Sequence, residues 1–183
     1  NRDKFANEKY LKSILGNSGL QTSHDISLNG GNNRNQYFVS YGFLSQDGIV
    51  EKNNYSRHSA RINLINQLSP NIKLTTRLSG ILSDIKEPNV PGGDDASGMI
   101  GIIQKAVRFP GIYPTKISTG EWGMGPENHG TPVSWIQSPS FYNTQRKSVS
   151  SNINLEYAPI KELLLSVSGA YNFSFNDDVS FKS

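Results

Sequence analysis

The sequence of 183 residues contains no cysteine. This absence excludes a disulfide framework, a thiolate zinc site and a cysteine nucleophile, and it is compatible with a periplasmic or outer-membrane location. The sequence also lacks a long apolar run, since its longest, Met99 to Ile103, is interrupted by Gly101 and is far shorter than the roughly 20 residues of a membrane-spanning helix. A soluble domain and a β-barrel both remain possible, because only every second residue of a barrel strand is apolar.

Charge of one sign is not concentrated anywhere in the chain. The 18 basic and 15 acidic residues give a net charge of +3 and are scattered. Nucleic-acid binding normally requires a basic stripe or cluster, so we expect no nucleic-acid partner. The sequence starts at Asn1 without an initiating Met and stops at Ser183 after a strand-like run, and we expect it to be a piece of a larger protein.

Period-2 alternation of apolar and polar residues is the main pattern that is present. From Ile72 to Ser83, the residues Ile, Leu, Thr, Leu, Gly and Leu alternate with Lys, Thr, Arg, Ser, Ile and Ser. Such alternation predicts strands with one apolar face. Six segments have it: 22–31, 36–46, 55–68, 72–84, 146–158 and 162–176. Several exceed the usual soluble strand of about 5–6 residues and fit the roughly 9–11 that cross a bilayer at a tilt.

The connections between these strands alternate in length. Residues 32–35, 69–71 and 159–161 are tight turns, whereas 47–54 and about 85–145 are longer. Short turns at one edge and long loops at the other are typical of outer-membrane barrels. The aromatic residues on the apolar stripes form two groups, as in the two aromatic belts of a membrane barrel. Tyr37 and Tyr157 lie near tight turns, and Phe43, Phe173 and Phe175 lie near the opposite ends of the strands.

The sequence therefore predicts an all-β fold, an antiparallel transmembrane β-barrel segment of about six strands with long extracellular loops. Six strands alone leave unpaired edges, so we expect the barrel wall to continue beyond them. Residues on the apolar stripes are expected to face lipid: Val39, Tyr41, Leu74, Leu78, Val167 and Tyr171. Residues on the opposite stripes are expected to contact a plug or line the lumen: Arg61, Arg77, Asn152, Asn154 and Glu156.

Two helices are predicted outside the strands. Phe5 to Leu15 has an amphipathic pattern, and Ala96 to Phe109 has helical spacing that Pro110 ends. The remainder, 111–142, is predicted to be irregular but ordered. It contains Tyr113, Trp122 and Trp135, and disordered segments carry few such large aromatic side chains.

Four residues of this long loop are candidate contacts to a substrate or a lid: Tyr113, Trp122, Trp135 and Arg108. Flat aromatic rings stack on sugars and anchor peptides. The alternative, which we favour for the two tryptophans, is that their rings pack the loop onto itself or onto a lid.

No catalytic, metal-binding or cofactor-binding residue is predicted. His24, His58 and His129 lack ligand spacing, and His24 and Asp25 should point to opposite faces of a strand. Gly92 to Asp95 lacks the pattern of a calcium or phosphate loop and is read as a solvated turn. The pair Asp177–Asp178 is read as a strand-end surface pair.

Several runs carry a resemblance to a known family. They are Ser23 to Gly31, Tyr37 to Val50, Tyr55 to Leu64, Arg108 to Pro110 and Glu156–Tyr157. Together they resemble the barrel of SusC/RagA-type TonB-dependent transporters, most densely over 23–84.

The resemblance implies a 22-strand barrel with an N-terminal plug that these residues do not include. It implies that 1–183 belongs to the barrel domain, with 1–20 and 85–145 as extracellular loop segments. It also implies a SusD-like surface lipoprotein that acts as a lid, the TonB complex as an energy source, glycans or peptides as substrates, and the outer membrane of a Gram-negative bacterium.

The function expected on these grounds is import of oligosaccharides or oligopeptides without an enzymatic step or a cofactor. The alternative is a secreted all-β carbohydrate-binding or adhesion module, which would be monomeric without detergent. A barrel enzyme would need an acid, a base and a nucleophile clustered at one rim, and the sequence has no such set.

Overall fold

The computed structural model describes residues 6–16, 18–88, 98–126 and 129–181, which form three helices and six strands. In chain order the elements are α1 (Tyr10–Ile14), β1 (Gln21–Gly31), β2 (Asn35–Asp47), β3 (Asn54–Ser69), β4 (Ile72–Pro88), α2 (Gly98–Arg108), α3 (Pro132–Gln137), β5 (Phe141–Ile160) and β6 (Leu163–Phe181). The strands form one antiparallel sheet in the order β1-β2-β3-β4-β5-β6. Every predicted strand is present, and each pairs with its sequence neighbour.

The tight turns are held by side chains suited to them. In the turn between β1 and β2, the Asn32 side-chain oxygen accepts hydrogen bonds from the backbone N–H groups of Arg34 and Asn35, each 2.8 Å long. In the turn between β3 and β4, the Gln67 side-chain amide donates to the Ser69 carbonyl at 2.8 Å. Short polar side chains that bond to nearby backbone allow the chain to reverse within a few residues.

At the other end of the sheet the strands run beyond their predicted ends. β4 continues to Pro88 and β5 already begins at Phe141, whereas the predicted limits were 84 and 146. The pairing of β5 with β6 extends to Phe141 opposite Phe181, whose rings are stacked with centroids 6.1 Å apart. The region between β4 and β5 is therefore shorter than the sequence indicated.

A small helical layer, here called the cap, lies at this long-loop end and consists of α1, α2, α3 and the β2–β3 connection. It has its own apolar core: Tyr10, Ile14, Val50, Ile102, Ala106, Trp135 and Ile136. Phe109 packs against this core, with its ring 5.2 Å from that of Tyr10 and 6.1 Å from that of Trp135. Apart from Pro88, at the end of β4, the buried apolar side chains of the described residues thus belong to the cap and not to the sheet.

Helix α2 agrees with the predicted helix, although residues 96 and 97 lie outside the described part of the chain. Its last turn carries Lys105 and Arg108, whose positive charges are stabilised by the negative, C-terminal end of the helix dipole. Helix α1 is shorter than the predicted amphipathic helix, whose first residue, Phe5, also lies outside the described residues.

Helix α3 falls in a stretch that the sequence analysis read as irregular. Its start has a recognisable signal, because the Thr131 side chain accepts a hydrogen bond from the Ser134 backbone N–H at 3.3 Å and Pro132 follows as the first helical residue. A Thr cap followed by Pro is a common helix start.

No described helix is both long and apolar enough to cross a membrane.

Candidate functional site

One face of the sheet carries a continuous apolar surface, here called the apolar band. The register brings the alternating apolar residues of all six strands onto the same side: Ile26, Leu28, Tyr37, Val39, Tyr41, Phe43, Ala60, Ile62, Leu64, Ile72, Leu74, Leu78, Leu82, Val149, Ile153, Leu155, Tyr157, Leu165, Val167, Tyr171, Phe173 and Phe175. In the central row, for example, Val39 on β2 pairs with Ile62 on β3, and Ile62 pairs with Leu78 on β4.

The band is not covered by any other described part of the chain. Of the residues predicted to face lipid, Val39, Tyr41 and Leu78 are 40–45 % exposed, and Val167 and Tyr171 are 73 % and 65 % exposed. Leu74 is half-buried on the same face. None of these six lies beneath a second sheet or a helix, and their contact with lipid stays a prediction.

The opposite face, here called the polar face, carries most of the charged residues of the strands. Lys73 and Glu156 form an ion pair of 3.0 Å, and the Asn154 side-chain amide donates to Glu156 at 3.1 Å. Arg77 Nη1 donates to Asn152 Oδ1 at 3.4 Å. Apart from Lys73, these residues and Arg61 are the set that the sequence predicted to contact a plug or line the lumen, and the register places all of them on the polar face.

The histidines are not assembled into a reactive site. His24 pairs with Phe43 on the apolar face, and Asp25 pairs with Gly42 on the polar face, as the alternation predicted. The Tyr41 hydroxyl and His58 Nδ1 are 2.7 Å apart, which joins two residues of the apolar face. Within the described ranges, no group of three or more His, Cys, Asp or Glu residues is placed to hold a metal ion. Gly92 to Asp95 lies outside these ranges.

The two tryptophans of the cap region occupy different environments. Trp135 lies on α3 and is 7 % exposed, with Lys105 Nζ 4.7 Å from its ring centroid. Trp122 is 38 % exposed on a small hairpin, paired with Lys116, whose Nζ lies 4.8 Å from the ring. The packing role favoured by the sequence analysis thus describes Trp135, whereas Trp122 presents its ring to solvent.

The other two candidate contact residues also lie in this region. Tyr113 is half-buried, and its ring centroid is 5.9 Å from that of Phe109. Its carbonyl accepts a hydrogen bond of 2.5 Å from the Tyr10 hydroxyl. Arg108 is exposed at the end of α2. A substrate or lid contact by any of the four stays a prediction.

Three residues of the β2–β3 connection hold it against the rest of the cap, which the sequence did not indicate. Val50 is fully buried in the cap core. The neighbouring Lys52 Nζ donates to the Ser138 carbonyl at 2.8 Å, and Gln137 Nε2 donates to Glu51 Oε2 at 3.0 Å. Ile49 and Val50 are both apolar residues in this turn, and nothing local distinguishes the buried Val50 from the exposed Ile49.

The Tyr10 phenol makes the cap sensitive to high pH. Burial, reinforced by the nearby Glu8 carboxylate, raises the pKa of Tyr10 from 10.0 to about 12, and a hydrogen bond with the Thr115 side chain acts in the opposite direction. A raised pKa means that the folded cap binds the phenol proton more tightly than the unfolded chain does. Its contribution to stability is complete below pH 10 and is lost as the pH rises from 10 to 12.

We therefore expect a late tyrosine titration step in wild-type protein, measured by phenolate absorbance, together with loosening of the cap in the same pH window. The variant Tyr10→Phe should lack this step and should show a flatter dependence of cap stability on pH. Identical titration curves for the two proteins would show that Tyr10 is not the group concerned.

Among known proteins, the sheet resembles part of several solved structures. No protein-family model matches the sequence, and no curated protein matches it. Solved structures do. The RagAB peptide importer in the closed-closed state is 20 % identical with a TM-score of 0.71, covering 96 % of this chain and 20 % of that chain. The open-open state is 20 % identical with a TM-score of 0.72, covering 94 % and 19 %.

A third structure, of the RagAB peptide transporter, is 19 % identical with a TM-score of 0.72 and covers 97 % of this chain and 20 % of that chain. The chain thus spans about a fifth of the length of these neighbours. At this level of identity the likeness establishes the fold. The predicted fold class, an antiparallel β-barrel segment of about six strands, is confirmed.

Proposed function

We propose that this chain is a stretch of the wall of an outer-membrane β-barrel transporter that imports oligosaccharides or oligopeptides. The apolar band is the observation that carries the proposal. Its side chains amount to an exposed apolar area on the order of 1,000 Å², beyond the roughly 300–600 Å² of the largest patch on a typical soluble monomer. In water such a surface would be unfavourable, whereas in hydrocarbon it is the favoured contact.

The height of the band supports a bilayer as its environment. On β4 the band runs from Ile72 to Leu82, which is about 33 Å along a strand. At the tilt of roughly 35–45° usual in barrels, this length spans about 25 Å, the height of the apolar belt of outer-membrane barrels.

The ends of the band also support this environment. At the long-loop end, the row of Leu82 contains Lys147 and Phe175, and the next row on this face contains Asp84 and Asp177. At the other end, the tight turns follow within a few residues. A sharp change from aliphatic through aromatic to charged residues is what a water–bilayer boundary favours.

On this proposal, residues 1–183 belong to the barrel domain, and 1–20 and 85–145 lie on the extracellular side. The likeness to RagAB structures, which are described as a peptide importer, supports transport as the role, and glycans remain the other substrate class. A SusD-like lipoprotein would act as a lid over the cap side, and the TonB complex would supply energy through the whole protein in a Gram-negative outer membrane. Transport by such a wall requires no covalent chemistry.

Membrane extraction tests the proposal. We expect the protein, as the cell makes it, to resist carbonate extraction of the outer-membrane fraction, to require detergent, and to migrate as a compact species in SDS until it is heated. A secreted binding module would be released by carbonate and stay monomeric without detergent, and that result would refute the proposal. In a deletion strain, loss of growth on oligopeptides but not on oligosaccharides would indicate peptide import, and the reverse would indicate glycan import, with growth on the monomers unchanged in both cases.

A further inference from the structure

The polar face contains a trough with opposite charge at its two ends. Two depressions of about 320 and 420 Å³ share Arg61 and Ser79 and therefore form one continuous surface feature, here called the trough. Asp25 lines one end, and Arg77 lines the other beside Arg61. Small hydroxyl side chains form much of the surface between them: Ser27, Ser40, Ser59 and Ser79.

The arginine end has the geometry of an anion site. Arg61 pairs with Ser79, and Asn63 pairs with Arg77, so the two arginines are diagonal neighbours on one face, with Cα atoms about 7–8 Å apart. Within the described ranges no group accepts a hydrogen bond from the exposed Arg61 side chain, whereas Arg77 is oriented by Asn152. Adjacent like charges repel, and a carboxylate between two guanidinium forks would relieve that repulsion with directed hydrogen bonds.

The opposite end presents a carboxylate in a prepared position. The Ser23 hydroxyl donates to Asp25 at 3.2 Å. A Cβ atom at Gly42 would lie 2.5 Å from Asp25 Oδ1 and 3.0 Å from Ser59 Oγ, so glycine leaves the room in which this carboxylate lies across β2. The absence of a side chain at residue 42 therefore matters for the placement of the negative charge, which would repel a polyanion.

We propose that the trough binds a zwitterionic ligand, with its carboxylate between Arg61 and Arg77 and its ammonium group against Asp25. Asp25 and Arg61 are two strands apart and offset by two residues, which places their Cα atoms about 12 Å apart. An extended peptide of about three to five residues spans this distance. The inference rests on the proposed function only in requiring that the polar face lines a water-filled passage.

Binding of tetra-alanine with free termini tests the site. The protein as the cell makes it is purified in a detergent with an uncharged headgroup, and the dissociation constant is measured by calorimetry. Arg61→Ala and Arg77→Ala should each weaken binding about tenfold, the loss expected for one charge-assisted contact. Arg57→Ala is the matched control, because Arg57 lies on the same strand and face, carries the same charge and lines neither depression. It should leave the dissociation constant unchanged.

Changes to the ligand locate its two ends. Amidation of the peptide carboxylate should weaken binding to wild-type protein about tenfold and should have no further effect on the double variant Arg61→Ala/Arg77→Ala. Acetylation of the amine should behave in the same way with Asp25→Asn. Equal losses in Arg57→Ala and Arg61→Ala, or unchanged binding of the amidated peptide, would overturn the proposed site.

Failure of the proposed site and failure of the proposed function would give different results. A protein that is soluble without detergent and still shows these dependences retains the zwitterion site but is not a membrane wall. A protein that is inserted in the membrane and binds tetra-alanine equally well in all variants retains the proposed function and lacks the site.

Discussion

The variant Leu78→Arg is expected to destabilise the folded, membrane-inserted protein by about 2–4 kcal/mol, the cost of placing arginine at the midplane of a barrel's lipid face. Leu78 lies in the middle row of the apolar band, between Ile62 on β3 and Ser151 on β5, and its side chain is 42 % exposed. In water, exchanging so exposed a residue usually changes stability by less than about 0.5 kcal/mol. The large effect therefore depends on hydrocarbon against the band.

The matched control is Ile81→Arg on the same strand. Ile81 is 44 % exposed, so the two residues differ little in type and exposure, but it lies on the polar face and lines the trough. Unfolding in urea from lipid vesicles should show a clear loss of stability for Leu78→Arg and only a small change for Ile81→Arg. Equal losses in both variants would mean that the two faces meet the same solvent, and the membrane interpretation would then be wrong.

The strands were predictable because their environment changes with every residue. Between Ile72 and Leu82 the alternation is strong, since one face is apolar and the other is polar. Beyond Leu82 the pairing continues, but the face that was apolar now carries Asp84 and Lys86, so the alternation is lost. Backbone hydrogen bonding persists there without a change in side-chain polarity, which is why the sequence placed the end of β4 too early.

The cap was only partly predictable, because its core is assembled from segments distant in sequence. Val50 comes from a turn, Ile102 from α2 and Ile136 from a helix of six residues. A helix this short shows little periodicity, so its Thr131–Pro132 start was the signal to use. The burial of Val50 depends on tertiary contacts alone and has no local signature.

The polar trough illustrates a similar limit for a binding site. Alternation places Arg61 and Arg77 on polar stripes of their strands, and the sequence therefore predicts that both face the same side of the sheet. Their placement as diagonal neighbours requires the register of β3 with β4, which is set by the turn and its irregularity between Gln67 and Ser69. Asp25 lies in the same trough only because β1 pairs with β2 and β2 pairs with β3 in one particular register. Sequence spacing alone therefore could not predict that it lies near the two arginines.

The second large effect is expected in the cap, where Trp135→Ala should cost about 3–5 kcal/mol of local stability, as is usual when a buried Trp or Phe is truncated. The ring of Trp135 is 7 % exposed and lies against Phe109, with Lys105 above it. Its removal leaves a cavity between α2 and α3. Protease cleavage and amide exchange should increase in 98–138, while the sheet keeps its protection, because the cap core is separate from the strands.

Trp122→Ala is the natural control, since Trp122 also has a lysine over its ring but is 38 % exposed. Its truncation should leave cap protection close to that of wild type, because much of the ring already contacts water. If Trp122 contacts a substrate or a lid, its loss should instead weaken that binding, so the two tryptophans separate folding from recognition. Equal protection in both variants would show that Trp135 does not hold the cap together, and the stability of α2 and α3 would then have to come from their connections to the sheet.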